Sequence, residues 1–80
     1  MADLVCHISS LVVQCQPDVL DATVRYLNGN PAAEVHATDP QGKVVVVLET
    51  STEQQIVETI RDIEQRQGVL SVALVFHQID

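Results

Sequence analysis

The fold is decided by the last strand-like stretch of the chain, which reads Gly68-Val69-Leu70-Ser71-Val72-Ala73-Leu74-Val75-Phe76-His77-Gln78. Apolar residues occupy both alternate sets of positions here, and the same holds for Val44-Val45-Val46-Val47-Leu48. Because successive side chains of a strand point to opposite faces of the sheet, strands that are apolar on both sides are normally buried on both faces. A chain of 80 residues makes one small domain and rarely covers both faces. The sequence therefore predicts a sheet face that is left open or is covered by a partner.

A helix is predicted directly after the first strand, which we place at Val5–Cys15. Gln16-Pro17-Asp18 suits a helix start, since proline fits the first helical position and an acid favours the first turn. Apolar residues at helical spacing then follow, until Asn28-Gly29 ends the helix and Pro31 prevents its continuation.

The middle of the chain predicts a β-hairpin followed by a second helix. A short strand over 33–38 leads into Asp39-Pro40-Gln41-Gly42, which has the residues of a tight turn, and a strand over Lys43–Glu49 follows. The second helix begins with one of two overlapping capping boxes and ends at Gly68, where the last strand starts. The two alternative boxes are Ser51 with Gln54 and Thr52 with Gln55.

The element order is thus βαββαβ, which predicts an α+β fold of the ferredoxin-like type. Right-handed crossovers and the central hairpin give a four-stranded antiparallel sheet in the order 4-1-3-2, with two helices on one face. The other face receives no helix from this chain. We call this uncovered side of the sheet the open face.

Alternation along the strands predicts which side chains occupy the open face. In the last strand, the bulky Leu70, Val72, Leu74 and Phe76 are expected beneath the helices, because large apolar groups gain most from burial. The polar Gln14 and Glu49 indicate the outward positions of the first and third strands. The predicted open face consists of Ile8, Ser10, Val12, Val45, Val47, Glu49, Ser71, Ala73, Val75 and His77.

The charge of the chain restricts its partners. Eleven acidic residues face four basic ones, and the net charge is −7. Nucleic acid and anionic membrane surfaces are disfavoured, because both require clustered Lys and Arg, whereas a basic partner would be attracted. No apolar run reaches transmembrane length and no signal-peptide pattern is visible, so membrane insertion is not expected. Cys6 and Cys15 are too far apart on one strand for a disulfide, which favours the cytoplasm.

Catalytic and metal chemistry are not predicted. His7 and His77 are expected at the same end of the sheet but on opposite faces, and His36 belongs to a different edge. No Gly-rich phosphate loop, nucleophile elbow or Cys-x-x-Cys motif occurs. The expectation is a non-enzymatic domain with no cofactor and no metal.

The combination of Ser10-Leu11-Val12-Val13-Gln14, the stretch Gly42–Glu49 and the stretch Gly68–Gln78 resembles the NapD family. The resemblance implies a single NapD-like domain over residues 1–80. It also implies a cytoplasmic chaperone that binds the twin-arginine signal peptide of the NapA precursor, the catalytic subunit of the periplasmic nitrate reductase. Such a chaperone prevents premature export during cofactor insertion, and the peptide binds as a helix on the open sheet face. The acids expected to meet the arginines are Glu49, Glu34 or Asp39.

Two other functions are compatible with the sequence. One is a homodimeric, small-ligand-binding regulatory module of ferredoxin-like fold, in which the open face is buried against a second copy. The other is a structural subunit of a larger assembly. The expected oligomeric state is a monomer or a weak homodimer.

Overall fold

The computed structural model describes residues 6–79. The predicted order of strands and helices is confirmed, while the predicted strand start at Val5 lies outside the described residues. The elements are β1 (His7–Cys15), a short 3-10 turn (Pro17–Val19), α1 (Leu20–Asn28), β2 (Ala33–Asp39), β3 (Lys43–Thr50), α2 (Glu53–Glu64) and β4 (Val69–Ile79).

The four strands form one sheet in the order β2-β3-β1-β4, with antiparallel pairing throughout. This is the predicted ferredoxin-like order, read from the opposite edge. Alternate residues of β1 and β3 are buried and pack with residues of the two helices, so both helices lie on one face of the sheet. The main buried cluster consists of Leu11, Val13, Leu27, Val44, Val46, Leu48 and Ile63, and Cys15 and Ile56 are buried as well.

The β2–β3 hairpin turn is held by Asp39 and Gly42. The carbonyl oxygen of Asp39 accepts a hydrogen bond from the Gly42 N–H at 2.9 Å, and its carboxylate accepts one from the Gln41 N–H at 2.8 Å. Gly42 has φ +106°, and a Cβ there would collide with the carbonyl oxygen of Cys15. The N–H of Cys15 donates to the carbonyl of Gly42 at 2.8 Å, so the turn is also fastened to the end of β1.

The second helix begins with the later of the two predicted capping boxes. The Thr52 hydroxyl accepts a hydrogen bond from the Gln55 N–H at 3.2 Å, and the Gln55 side chain accepts one from the Ser51 N–H at 2.8 Å. These contacts satisfy two backbone donors at the helix start. Neither α1 nor α2 is long and apolar enough to cross a membrane, within the part of the chain that the structure describes.

Two bulges in β4 change the predicted orientation of its second half. Leu74 pairs with Leu11 and Phe76 pairs with Ser10, which leaves Val75 without a partner in β1. Since paired residues share a face, Phe76 points to the open face and His77, opposite the buried Ser9, points to the helix side. The predictions that Phe76 is inward and His77 outward are therefore wrong.

A second irregularity lies near the start of β4. Ser71 pairs with Gln14 and Val69 with Cys15, so Leu70 is skipped. Leu70 is 63% exposed instead of lying beneath the helices as predicted. Between the bulges, Val72 and Leu74 face the helix side as predicted, because they pair with the buried Val13 and Leu11, but Leu74 remains 47% exposed.

Candidate functional site: the open sheet face

The centre of the open face is apolar and spans all four strands. One row crosses the sheet from Ala37 of β2 through Val45 and Val12 to Ala73 of β4. The residues of this row on β1 and β3 are half-buried by their neighbours and receive no cover from a helix. The small side chains at both ends give this row low relief, which suits close contact with a flat apolar partner.

A second row adds the largest side chain of the face. It runs from Glu34 through Val47 and Ser10 to Phe76. Phe76 is 52% exposed and stands at the β4 edge of the sheet, beside the small hydroxyl of Ser10. The row therefore changes from a carboxylate at one edge to an aromatic ring at the other.

Two carboxylates frame one corner of the open face. Glu34 and Glu49 both line a hollow of about 290 Å³, together with Val47 and the segment 31–33. The Glu34 side chain is 78% exposed and lies 3.2 Å from the His36 ring nitrogen. A guanidinium group fits such a corner, because two carboxylates around a small hollow offer several acceptors for its planar set of donors.

The opposite corner of the open face has mixed charge. Asp39, Lys43, Gln14 and Ser71 follow one another across the four strands at this end. The acid and the base offset each other there, so the excess negative charge of the face lies at the corner of Glu34 and Glu49. The open face thus has an acidic end and an apolar centre.

Most of the residues predicted for the open face are brought together by the structure. Strand pairing places the predicted residues of β1 and β3, together with Ser71 and Ala73, on this side. Val75 is 60% exposed at the bulge, where pairing does not assign it a face. His77 belongs to the other side, and Phe76 was missed because no glycine or proline in β4 signals the bulge.

A larger hollow than the one beside Glu34 and Glu49 lies elsewhere and has no catalytic pattern. It measures about 380 Å³ and is lined mainly by α1, with Asp21 and Arg25 as its charged residues. An acid and an arginine on a helix surface are commonly solvated charges, and the residues that line this hollow include no histidine, cysteine or serine beside them. This hollow therefore does not compete with the open face as the candidate site.

The fold and the open face define a class of protein: a ferredoxin-like domain with one sheet face available for binding. Comparison with known proteins identifies the family within this class. The family model described as "NapD protein" matches residues 6–80, so the chain belongs to the NapD family.

Three relatives illustrate the similarity. Chaperone NapD of Escherichia coli K12 is 36% identical over 73 residues, which is 90% of this chain and 84% of that protein. Chaperone NapD of Paracoccus pantotrophus is 40% identical over 74 residues, covering 91% of this chain and 64% of that one. Chaperone NapD of Haemophilus influenzae is 31% identical over 75 residues, covering 92% and 81%.

A solved structure supports the fold independently. The solution structure of the E. coli Tat proofreading chaperone protein NapD superimposes with a TM-score of 0.81 at 35% sequence identity. The match covers 91% of this chain and 78% of that one. These relatives are named as chaperones, and none of the names describes an enzyme.

Proposed function

We propose that this chain is a cytoplasmic chaperone that binds the twin-arginine signal peptide of the NapA precursor and delays its export until the cofactors are installed. The observation that carries the proposal is the open face, with an apolar centre and an acidic corner on one surface. The similarity to a Tat proofreading chaperone supports the same class of ligand.

The chemistry of the face matches that of a twin-arginine signal peptide. Such a peptide has a basic segment followed by an apolar one. The corner of Glu34 and Glu49 would receive the arginines, and the apolar stretch would lie across Val47, Val12 and Phe76. The small side chains of Ser10 and Ala73 would allow a helix to approach the strands closely.

The mechanism of such a chaperone is occlusion. A peptide whose arginines and apolar segment are held against the sheet is not accessible to the export machinery. No covalent step is needed, since binding and release suffice to delay export. The site of action would be the cytoplasm, because the precursor carries its signal peptide before export.

A titration with a synthetic twin-arginine peptide, followed by residue-resolved NMR, tests the proposal. We expect the largest amide shifts on alternate residues of the three strands β1, β3 and β4, around Val12, Val47 and Ala73. A control peptide with both arginines replaced by glutamine should bind more weakly and leave the amides near Glu34 and Glu49 less perturbed.

Two results would count against this function. Shifts confined to α1 and α2 would show that the open face is not the binding site. Absence of binding, combined with a dimeric mass in sedimentation and protection of the open face, would favour the regulatory homodimer instead.

A further inference from the structure

The bulge at Val75 brings two histidines and a glutamate together on the helix side of the sheet. His7, at the start of β1, is only 7% exposed. Its Nδ1 lies 2.9 Å from Nε2 of His77 on β4. Glu53, in the first turn of α2, completes a group whose donor atoms all lie within 4.8 Å of one another.

We propose that His7, His77 and Glu53 bind a divalent transition-metal ion, with Zn²⁺ as the reference ion. Two imidazole nitrogens and one carboxylate oxygen form a donor set that zinc accepts, with the fourth position open to water or an external ligand. Tetrahedral zinc with metal–ligand bonds of about 2.0–2.1 Å separates its donor atoms by about 3.3 Å. The two ring nitrogens lie 2.9 Å apart, and all three donor atoms lie within 4.8 Å of one another.

The two rings are joined by a hydrogen bond between their facing nitrogens. Their centroids are 5.2 Å apart and their planes differ by 15°, so the facing nitrogens lie between nearly parallel rings. One of these nitrogens donates and the other accepts, according to the tautomers. Metal binding would replace this hydrogen bond: each neutral ring would carry its proton on the other nitrogen, and both lone pairs would turn toward the ion.

Binding requires the rings to turn so that both lone pairs face the ion, and it requires modest changes in the donor spacing. The two nitrogens need to separate by about 0.4 Å to reach tetrahedral spacing, and the carboxylate needs to approach by up to about 1.5 Å. Both His77 and Glu53 are exposed, so their side chains have room to adjust. His7 is fixed in the sheet and would serve as the anchor of the site.

The surroundings favour ligand binding at this place. Glu53 and His77 line a hollow of about 190 Å³ whose other walls are mainly aliphatic. Electrostatic attraction between the carboxylate and a cation is stronger beside such walls than in open water. The remaining lining residues are Ile56, Val57, Ile60 and Leu74.

Ser9 provides a second observation at the same place. It is fully buried, pairs with His77 across the β1–β4 ladder, and lies two residues from His7 on the same face. Its hydroxyl has no hydrogen-bond partner among the described residues. A ligating histidine commonly donates its other ring N–H to a nearby acceptor, and a buried hydroxyl with no partner, opposite His77 in the strand pairing, is a candidate for that role.

The metal site lies on the helix side of the sheet and the proposed peptide site on the open face, so the two are separate. A bound ion would connect three elements: β1, the edge strand β4 and the start of α2. We expect it to stabilise the domain without being required for peptide binding. Failure of either proposal would leave the other unaffected.

Calorimetric titration of the full, untagged chain with Zn²⁺ after chelator treatment tests the site. We expect one ion per chain, and we expect His77→Gln and Glu53→Gln each to weaken binding at least tenfold. The matched control is His36→Gln, because His36 lies beside Glu34 at 3.2 Å on the other edge strand and should leave the affinity unchanged. Circular dichroism of each variant verifies that the fold persists.

Two spectroscopic measurements identify the ligands. The ring nitrogen resonances of His7 and His77 should shift on binding, while those of His36 stay in place. The cobalt(II) complex should show ligand-field bands without thiolate charge transfer. Equal affinities of wild type and His77→Gln, unchanged His7 and His77 resonances, or a thiolate band from a cysteine would each overturn the assignment.

Discussion

At the level of single residues, Phe76 and His77 each lie on the opposite face of the sheet from the one predicted. Size and polarity place Phe76 beneath the helices and His77 on the open face, and the structure exchanges the two faces, although both side chains are exposed. The outward positions of β1 and β3 were predicted correctly, because Gln14 and Glu49 each mark one set of alternating positions as polar. Beyond Val75, the adjacent polar residues His77 and Gln78 lie on opposite faces and so indicate neither orientation, and one unpaired residue was enough to reverse the assignment.

Phe76→Ser tests the aromatic end of the open face. We expect the affinity for the twin-arginine peptide to fall about tenfold, since a half-exposed ring that becomes covered contributes about 1–2 kcal/mol. The free energy of unfolding should change little, because Phe76 belongs to no buried cluster.

The matched control is Ile79→Ser, at an exposed residue that pairs with His7 on the helix side of the same strand. Peptide titration and urea unfolding of both variants supply the comparison. If Phe76→Ser binds as wild type does, the aromatic ring has no part in recognition.

At the level of elements, the helices and strands could be predicted from local sequence signals, whereas the bulges of β4 could not. The start of α2 was predicted from its capping boxes and the hairpin from Asp39 to Gly42, because these residues act on the adjacent backbone. Pro17 instead lies in a 3-10 turn, and α1 begins three residues later, at Leu20. The bulges of β4 arise from how two distant strands fit together. Val75 is a β-branched residue that suits a regular strand equally well, so its local sequence contains no indication of an insertion.

Deletion of Val75 tests the role of the bulge. Without Val75, Leu74 and Phe76 become consecutive residues that point to alternate faces of the sheet and pair with Leu11 and Ser10. We therefore expect the fold and the His7–His77 contact to persist, as observed by amide and histidine NMR spectra.

Deletion of Val45 serves as the comparison. Val45 lies in the regular β1–β3 pairing, where the loss of one residue would turn part of the strand to the wrong face. This variant should be strongly destabilised or unfolded in a urea titration. Equal damage from both deletions would show that Val75 is an integral strand position.

At the level of the whole molecule, the net negative charge and the acidic corner of the open face both favour a basic partner. The chain carries a net charge of −7, and the acids at Glu34 and Glu49 mark the end of the open face where a basic segment would be attracted. Composition alone favoured a basic partner over an anionic one, but it was equally typical of acids that keep a small protein in solution. The place on the surface where a basic segment is attracted could not be predicted without the sheet order, because residues 34 and 49 become neighbours only through the β2–β3 pairing.

The affinity for the twin-arginine peptide should decrease with ionic strength. Raising the salt concentration from about 0.01 M to about 0.1 M shortens the screening length from about 30 Å to about 10 Å, so attraction between the net charges weakens. We expect a several-fold loss of affinity by fluorescence anisotropy. A peptide with glutamine in place of both arginines should lose clearly less, and parallel slopes for the two peptides would contradict the charge pairing.

The position of β1 in the middle of the sheet has a consequence for the thermodynamics of recognition. β1 is bonded along both of its sides, to β3 and to β4, and it supplies the centre of the open face. Its amides should therefore be among the slowest to exchange with solvent deuterium, because they open only when neighbouring strands separate. A surface on such a strand loses little conformational entropy on binding, so the ordering cost of association falls mainly on the incoming peptide.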